Sequence, residues 1–151
     1  MTKSRLSISR DYYINVLANA MQITQVSRNS TMIETIKDLP DDALGFSAKG
    51  IVTKVDYETI IIPSVEAKFS KYTKVKFLYH IGTDFTKFET GALWDDAKIG
   101  FKHLTAWDRI AVVTDVDWIR TAVQMFAFLL HGPVRVFQNA EIAEAREWIS
   151  E

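Results

Sequence analysis

The chain has no cysteine, which excludes disulfides, thiolate catalysis and Cys-ligated metals. Its three histidines, His80, His103 and His131, show neither ligand spacing nor a His-Glu-x-x-His pattern, so no metal centre is expected. A Gly-x-Ser-x-Gly elbow and a phosphate-cradling glycine loop are both missing. With no nucleophile–base pair to assemble, the expectation is a protein that is not an enzyme and carries no cofactor. No apolar run approaches the roughly 18 residues that span a bilayer. Repeats and low-complexity linkers are absent as well. The formal net charge is only −1, so no global field draws the chain to nucleic acid. Absent cysteine is compatible with a reducing compartment, and a cytoplasmic location is expected.

What is present is enough apolar residue for a real core: 48% of 151 residues, which suits one compact domain. Charge is unevenly divided. Residues 1–31 hold Lys3, Arg5, Arg10 and Arg28 against Asp11, a net of +3, and the remaining 14 basic and 18 acidic residues give −4. This leader imitates a secretory signal, with basic residues ahead of Ile14 to Leu17 and Ala18-Asn19-Ala20. Asp11 before the apolar stretch and Asn15 within it argue against that reading. It is read as an N-terminal extension lying on its own domain, or as sequence upstream of a working start at Met32. Tyr13, Leu17, Ala20 and Met21 share a helical face within it.

From Met32 the pattern is regular. Met32 to Lys37 reads as a strand, Leu39 to Asp42 as a turn, and Ala43 to Gly50 as a strand with Leu44, Phe46 and Ala48 on one face. The two should form an antiparallel pair. Thr53 and Asp56 mark a capping box opening a helix to Tyr72, with Pro63 expected to kink it or split off its first turn. Val75 to Ile81 is a buried strand that Gly82-Thr83-Asp84 ends, and Glu89 to Leu104 a helix. The run Arg109-Ile110-Ala111-Val112-Val113-Thr114-Asp115 is a buried strand feeding directly into a helix at Asp117 to Leu130, the local unit of a parallel α/β sheet. Gly132-Pro133 stops that helix, Val134 to Phe137 is a short strand, and Asn139 caps a last helix through Ile149. The order is β-β-α-β-α-β-α-β-α: an α/β fold with a mixed, mostly parallel five-stranded sheet flanked by helices.

Several of these segments resemble the SpoIIAA-like (STAS-like) domains of bacteria. Gly50-Ile51-Val52-Thr53 with Asp56-Tyr57 is similar to the opening of those domains. Leu93-Trp94-Asp95-Asp96 through Phe101-Lys102-His103 is similar to their second helix. Arg109 to Val113 with Trp118, and Val134 to Phe137 with Ala145-Arg146-Glu147-Trp148, resemble their later signatures. The resemblance covers about residues 32–151, the expected domain, and leaves 1–31 outside it. It implies a first strand antiparallel to the rest. The implied fold is shared in outline by anti-sigma-factor antagonists, which are phospho-switched interaction modules, and by CRAL-TRIO domains, which enclose an apolar ligand. Fold alone does not choose between these uses. Switching antagonists carry an Asp-Ser-Ser/Thr-Gly type motif where this chain has Gly82 to Gly91. Thr83, Thr86 and Thr90 stand there without that motif, so the resemblance does not extend to a kinase-driven switch.

Three groups of residues remain as candidates. The polar ends of parallel strands offer Thr83, Asp84, Thr114 and Asp115, which could hold a cation or polar head group; helix capping by Thr114 and Asp115 is the favoured reading. Asp96 and His103 share a helix face, but two turns, about 10 Å, separate them. Lys68, Lys71, Lys74 and Lys76 are read as cations at a helix C-terminus rather than a lipid-facing patch. The anomaly is the helix from Trp118 to Leu130, whose apolar residues cover far more than the ~100° arc a surface helix needs. Trp94, Phe101 and Trp107 lie on or just after the neighbouring helix. With Trp118, Ala122, Met125, Phe126 and Leu129 they form a candidate apolar pocket or interface. The first expectation is a binding or regulatory module acting by protein–protein interaction, as a homodimer. The alternative is a carrier or sensor of an apolar, lipid-like ligand.

Overall fold

The structure, a computed structural model, describes residues 14–17 and 32–151, except the side chains at 94–97, 100 and 101. The chain divides into two units, Met1–Thr31 and Met32–Glu151. Of the first, a helical turn at 14–17 is described; Tyr13, Ala20 and Met21 lie outside the described residues.

The second unit is built on one five-stranded sheet in strictly sequential order, β1 to β5. Strand β1 (Ile33–Thr35) pairs antiparallel with β2 (Ala43–Val52), Ile33 opposite Ala48. Strands β3 (Val75–Phe88), β4 (Trp107–Thr114) and β5 (Val134–Phe137) follow, each parallel to the one before. Between them run helix α1 (residues 54–69), α2 (Thr90–Lys102) and α3 (Asp117–Ala127). A 3-10 turn (Asn139–Glu141) and α4 (Ile142–Ser150) close the chain. Because every parallel crossover steps the same way along the sheet, right-handed connections put α1, α2 and α3 on one face. Only α4 is left for the other.

The core divides accordingly. Phe46, Phe77, Tyr79 and Val112 meet Tyr57, Ile61, Val65 and Ile119 on the three-helix face. Leu78, Ala111, Val113 and Phe137 meet Ala145 and Ile149 on the other. The alternation of Phe77 and Tyr79 with Leu78 is the period-two signature of a strand covered on both sides. Arginines fasten α4. Arg109 donates to the Trp148 carbonyl (2.7 Å) and lies over its ring, and Arg146 donates to the Lys37 carbonyl (2.8 Å).

The capping box at Thr53 forms as its spacing predicts. The Asp56 N–H donates to Thr53 Oγ1 (3.2 Å), and the Thr53 N–H donates to Asp56 Oδ2 (2.8 Å). Pro63 is accommodated by a change of ladder. After Lys54–Asp56 the helix runs as a π-helical turn over Tyr57–Ile61, then as α-helix over Ile62–Phe69 with the proline in its first turn. The π turn shifts the backbone ladder just ahead of the proline, which limits the cost of its missing donor. Three expectations need correction. Strand β3 does not end at Gly82 but continues to Phe88 beside β2, past a bulge at Gly50. Gly50 has a φ of 59°, which side chains disfavour and glycine accepts. Helix α3 ends at Ala127 rather than Leu130. The final turn is capped by Gln138, whose box partner is Glu141, and not by Asn139.

Candidate functional site

Helix α3 rests on the sheet through Ile119, which is buried, while its neighbours Trp118, Met125 and Phe126 stand half or more exposed. Between α3, α2 and the sheet lies a cavity of about 460 Å³. Its floor is Phe77 and Tyr79 of β3, Ile110 and Val112 of β4 and Val134 of β5. Helix α3 contributes Trp118, Ile119, Ala122, Val123 and Phe126, and the turn after it Leu129 and Leu130. Ile61, Phe88, Leu93, Ile99, Leu104 and Trp107 complete the wall. Among the described residues no lining side chain carries a charge, and three carry polar atoms: Tyr79, Trp107 and Trp118.

The polar atoms of Tyr79 and Trp107 differ. The Tyr79 hydroxyl lies 2.9 Å from that of Tyr57, so this buried pair satisfies itself. The indole Nε1 of Trp107 is buried and has no hydrogen-bond partner among the described residues. Trp107 opens β4, with Phe69 and Phe77 edge-on to its ring at centroid distances of 4.9 and 5.6 Å. At the rim, Phe88 stands edge-on to Trp118 (6.4 Å).

Of the apolar candidates, Trp107, Trp118, Ala122, Phe126 and Leu129 therefore come together at one cavity. Met125 does not: it is 66% exposed and outside the lining. The side chains of Trp94 and Phe101 lie outside the described residues. Phe128, which the sequence reading placed in the helix but not at the site, is 81% exposed. Sequence reasoning missed the floor residues Phe77, Tyr79 and Val112, which look like ordinary strand core.

The polar strand-end candidates do not build a site. Thr83 and Asp84 lie within the exposed extension of β3. Thr114 is fully buried, and its Oγ1 accepts from the Val116 N–H (3.1 Å). Asp115 Oδ1 accepts from the Asn139 N–H (2.9 Å), fastening the turn after β5. Arg120 donates to the carbonyls of Thr114 and Phe137 (2.9 and 3.1 Å). These bonds hold loops together, and Asp115 serves a different helix from the one it precedes.

His103 pairs with a residue the sequence did not suggest. Its Nε2 lies 3.0 Å from Glu66 Oε1 on α1, and its ring stacks on Phe69 (4.0 Å). Lys102 adds a second contact to Glu66 at 3.0 Å. The hydrogen bonds from His103 and Lys102 hold the Glu66 carboxyl below its ordinary range. Two of the four lysines at and beyond the end of α1 are tied to distant carbonyls: Lys68 to Asp41 and Lys74 to Thr105, each at 2.7 Å. No metal-holding group of three acidic or histidine side chains occurs among the described residues. Nor is any described helix long and apolar enough to cross a membrane.

A family model described as SpoIIAA-like matches residues 43–150. Among solved structures, an uncharacterized protein of Shewanella loihica PV-4 with a SpoIIAA-like fold is 26% identical and superposes with a TM-score of 0.64. That match covers 82% of this chain and 98% of the other. No curated protein matches.

Proposed function

The chain belongs to the SpoIIAA-like family, and on that premise we propose that it is a binding module that takes a small apolar molecule into the cavity beneath α3, as a carrier or sensor. The cavity carries this reading. A cavity of about 460 Å³, open to solvent past Trp118 and Phe126, falls within the ~300–1,000 Å³ typical of small-molecule sites. Unfilled, its walls forgo dispersion contacts that an apolar guest restores. Native mass spectrometry of protein purified without detergent tests the reading directly. An extra mass of roughly a few hundred daltons, the size class such cavities hold, should appear and be released on denaturation. A clean mass, together with no uptake of added octane, would overturn it.

A second reading, a module acting through protein–protein contact as a homodimer, is favoured by the outward side of α3 and the turn after it. Met125 and Phe128 are both more than half exposed there. Contiguous exposed apolar residues of this kind mark interaction surfaces more often than bare solvent-facing surface. No reaction is assigned under either reading, since the Glu66–His103 pair has no nucleophile bonded to it among the described residues.

A further inference from the structure

Resting on the apolar-ligand reading, we infer that the guest is an uncharged fused-ring aromatic molecule, laid against a row of aromatic side chains in the cavity. The row runs Trp107, Phe77, Tyr79, Phe88, Trp118, and all five line the cavity. Each ring meets the next edge-on, at interplanar angles of 70, 74, 84 and 85° and centroid distances of 5.6, 5.9, 6.3 and 6.4 Å. The floor rings reach the cavity surface. Phe77 keeps 9% exposure and Tyr79 5%, whereas Phe46, on the same sheet face but outside the lining, is 0% exposed.

An aromatic ring is negative over its faces and positive at its edge, so it attracts a second ring beyond what area burial supplies. A saturated guest meets the same row by dispersion alone. The row therefore separates guests of one size by whether they carry π electrons. Strand β3 supplies three of its members, Phe88 from the extension past Gly82. Each ring is held edge-on by its neighbours before a guest arrives, so binding need order few side chains. Size and charge narrow the class. A cavity of about 150 Å³ holds one benzene ring, so 460 Å³ suits a guest of about two or three fused rings. Among the described residues no charged side chain lines the cavity, and positions 94–97, 100 and 101 hold no basic residue. A carboxylate drawn inside would lose its hydration with no cation to meet it, which is strongly unfavourable.

Equilibrium binding of naphthalene, decalin and naphthoate separates this inference from the reading beneath it. Naphthalene and decalin share one carbon skeleton, and dividing each affinity by that probe's own water-to-hexadecane partition coefficient cancels their difference in hydrophobicity. Wild-type protein should then favour naphthalene over decalin about five- to tenfold, as one or two ring–ring contacts imply. Its uncorrected affinity for naphthoate should be the lowest of the three. Phe77→Leu, which keeps an apolar side chain and removes one ring, should cut the naphthalene preference by about twofold or more and leave decalin binding in place. The wild-type ratio does not depend on how that variant folds. Nuclear Overhauser contacts from bound naphthalene should reach the ring protons of Phe77 and Tyr79; contacts with Leu129 and Leu130 alone would overturn the placement. A corrected ratio at or below unity, or naphthoate bound as tightly as naphthalene, would overturn the inference while leaving the apolar cavity intact. So would uptake of octane with neither bicyclic probe bound. Failure of octane and all three probes to bind would overturn the carrier reading itself.

Discussion

Glu66 takes hydrogen bonds from both His103 and Lys102, so α1 and the end of α2 are joined at one carboxylate. Its carboxyl is held below the ordinary value of 4.5 in the folded chain. The charged form is therefore favoured by folding. Its contribution is complete above the ordinary value and disappears as pH falls through the lowered one. Glu66→Gln should lower stability near neutral pH by about 1 kcal/mol or less, because the side chain is 41% exposed and solvent screens the pair. The difference from wild type should shrink in acid, as read by melting temperature across a pH series; a constant difference would refute the assignment. This contact was not legible in the sequence. His103 and Glu66 lie 37 positions apart on two helices, and helical spacing reports only neighbours on one helix, which is why Asp96 looked like the nearest carboxylate.

Elements were legible where local chemistry decides them and blurred where pairing does. Thr53 and Asp56 announce the start of α1, and Val134 to Phe137 lies between punctuating residues on both sides. The extension of β3 past Gly82 follows from its ladder with β2, continuing through Ile51↔Lys87 and Val52↔Phe88. No turn signal within Gly82-Thr83-Asp84 reveals that, since tertiary pairing overrides local preference. The join between α3 and β5 depends on a close approach. A Cβ on Gly132 would lie 2.2 Å from the carbonyl oxygen of Trp107 and 2.8 Å from that of Asp108. This β4 backbone cannot yield as a flexible side chain would. Gly132→Ala should cost roughly 2 kcal/mol or more, in line with overpacking, measured by urea unfolding. An unchanged midpoint would mean that the loop is free to move away from β4.

At the scale of the whole molecule, the overpopulated apolar surface of α3 was visible in the sequence as an excess, and the structure divides that excess in two. Trp118, Ala122 and Phe126 turn to a cavity, whereas Met125 and Phe128 turn outward. The cavity itself was not readable, because strand residues such as Phe77 and Val112 serve equally well in a filled core. The outward half supplies the test of association. If it seals a homodimer, wild-type protein should sediment as a dimer and Phe128→Asp as a monomer with the same melting profile under dilute conditions. A monomeric wild type at the highest concentrations would remove the dimer reading without touching the cavity.

The sequential order of the strands has a kinetic consequence. Each parallel strand docks beside the one made just before it, one crossover earlier, so no partner need be awaited from a distant part of the chain. Loop-closure entropy is then met in short instalments, and average contact separation stays low for a parallel sheet. The sheet can grow from its β1–β2 hairpin edge while later residues are still being synthesised. The face left bare meanwhile is the one that α4 covers last, making arrival of Ile142–Ser150 the step that ends exposure of a sticky, half-finished chain.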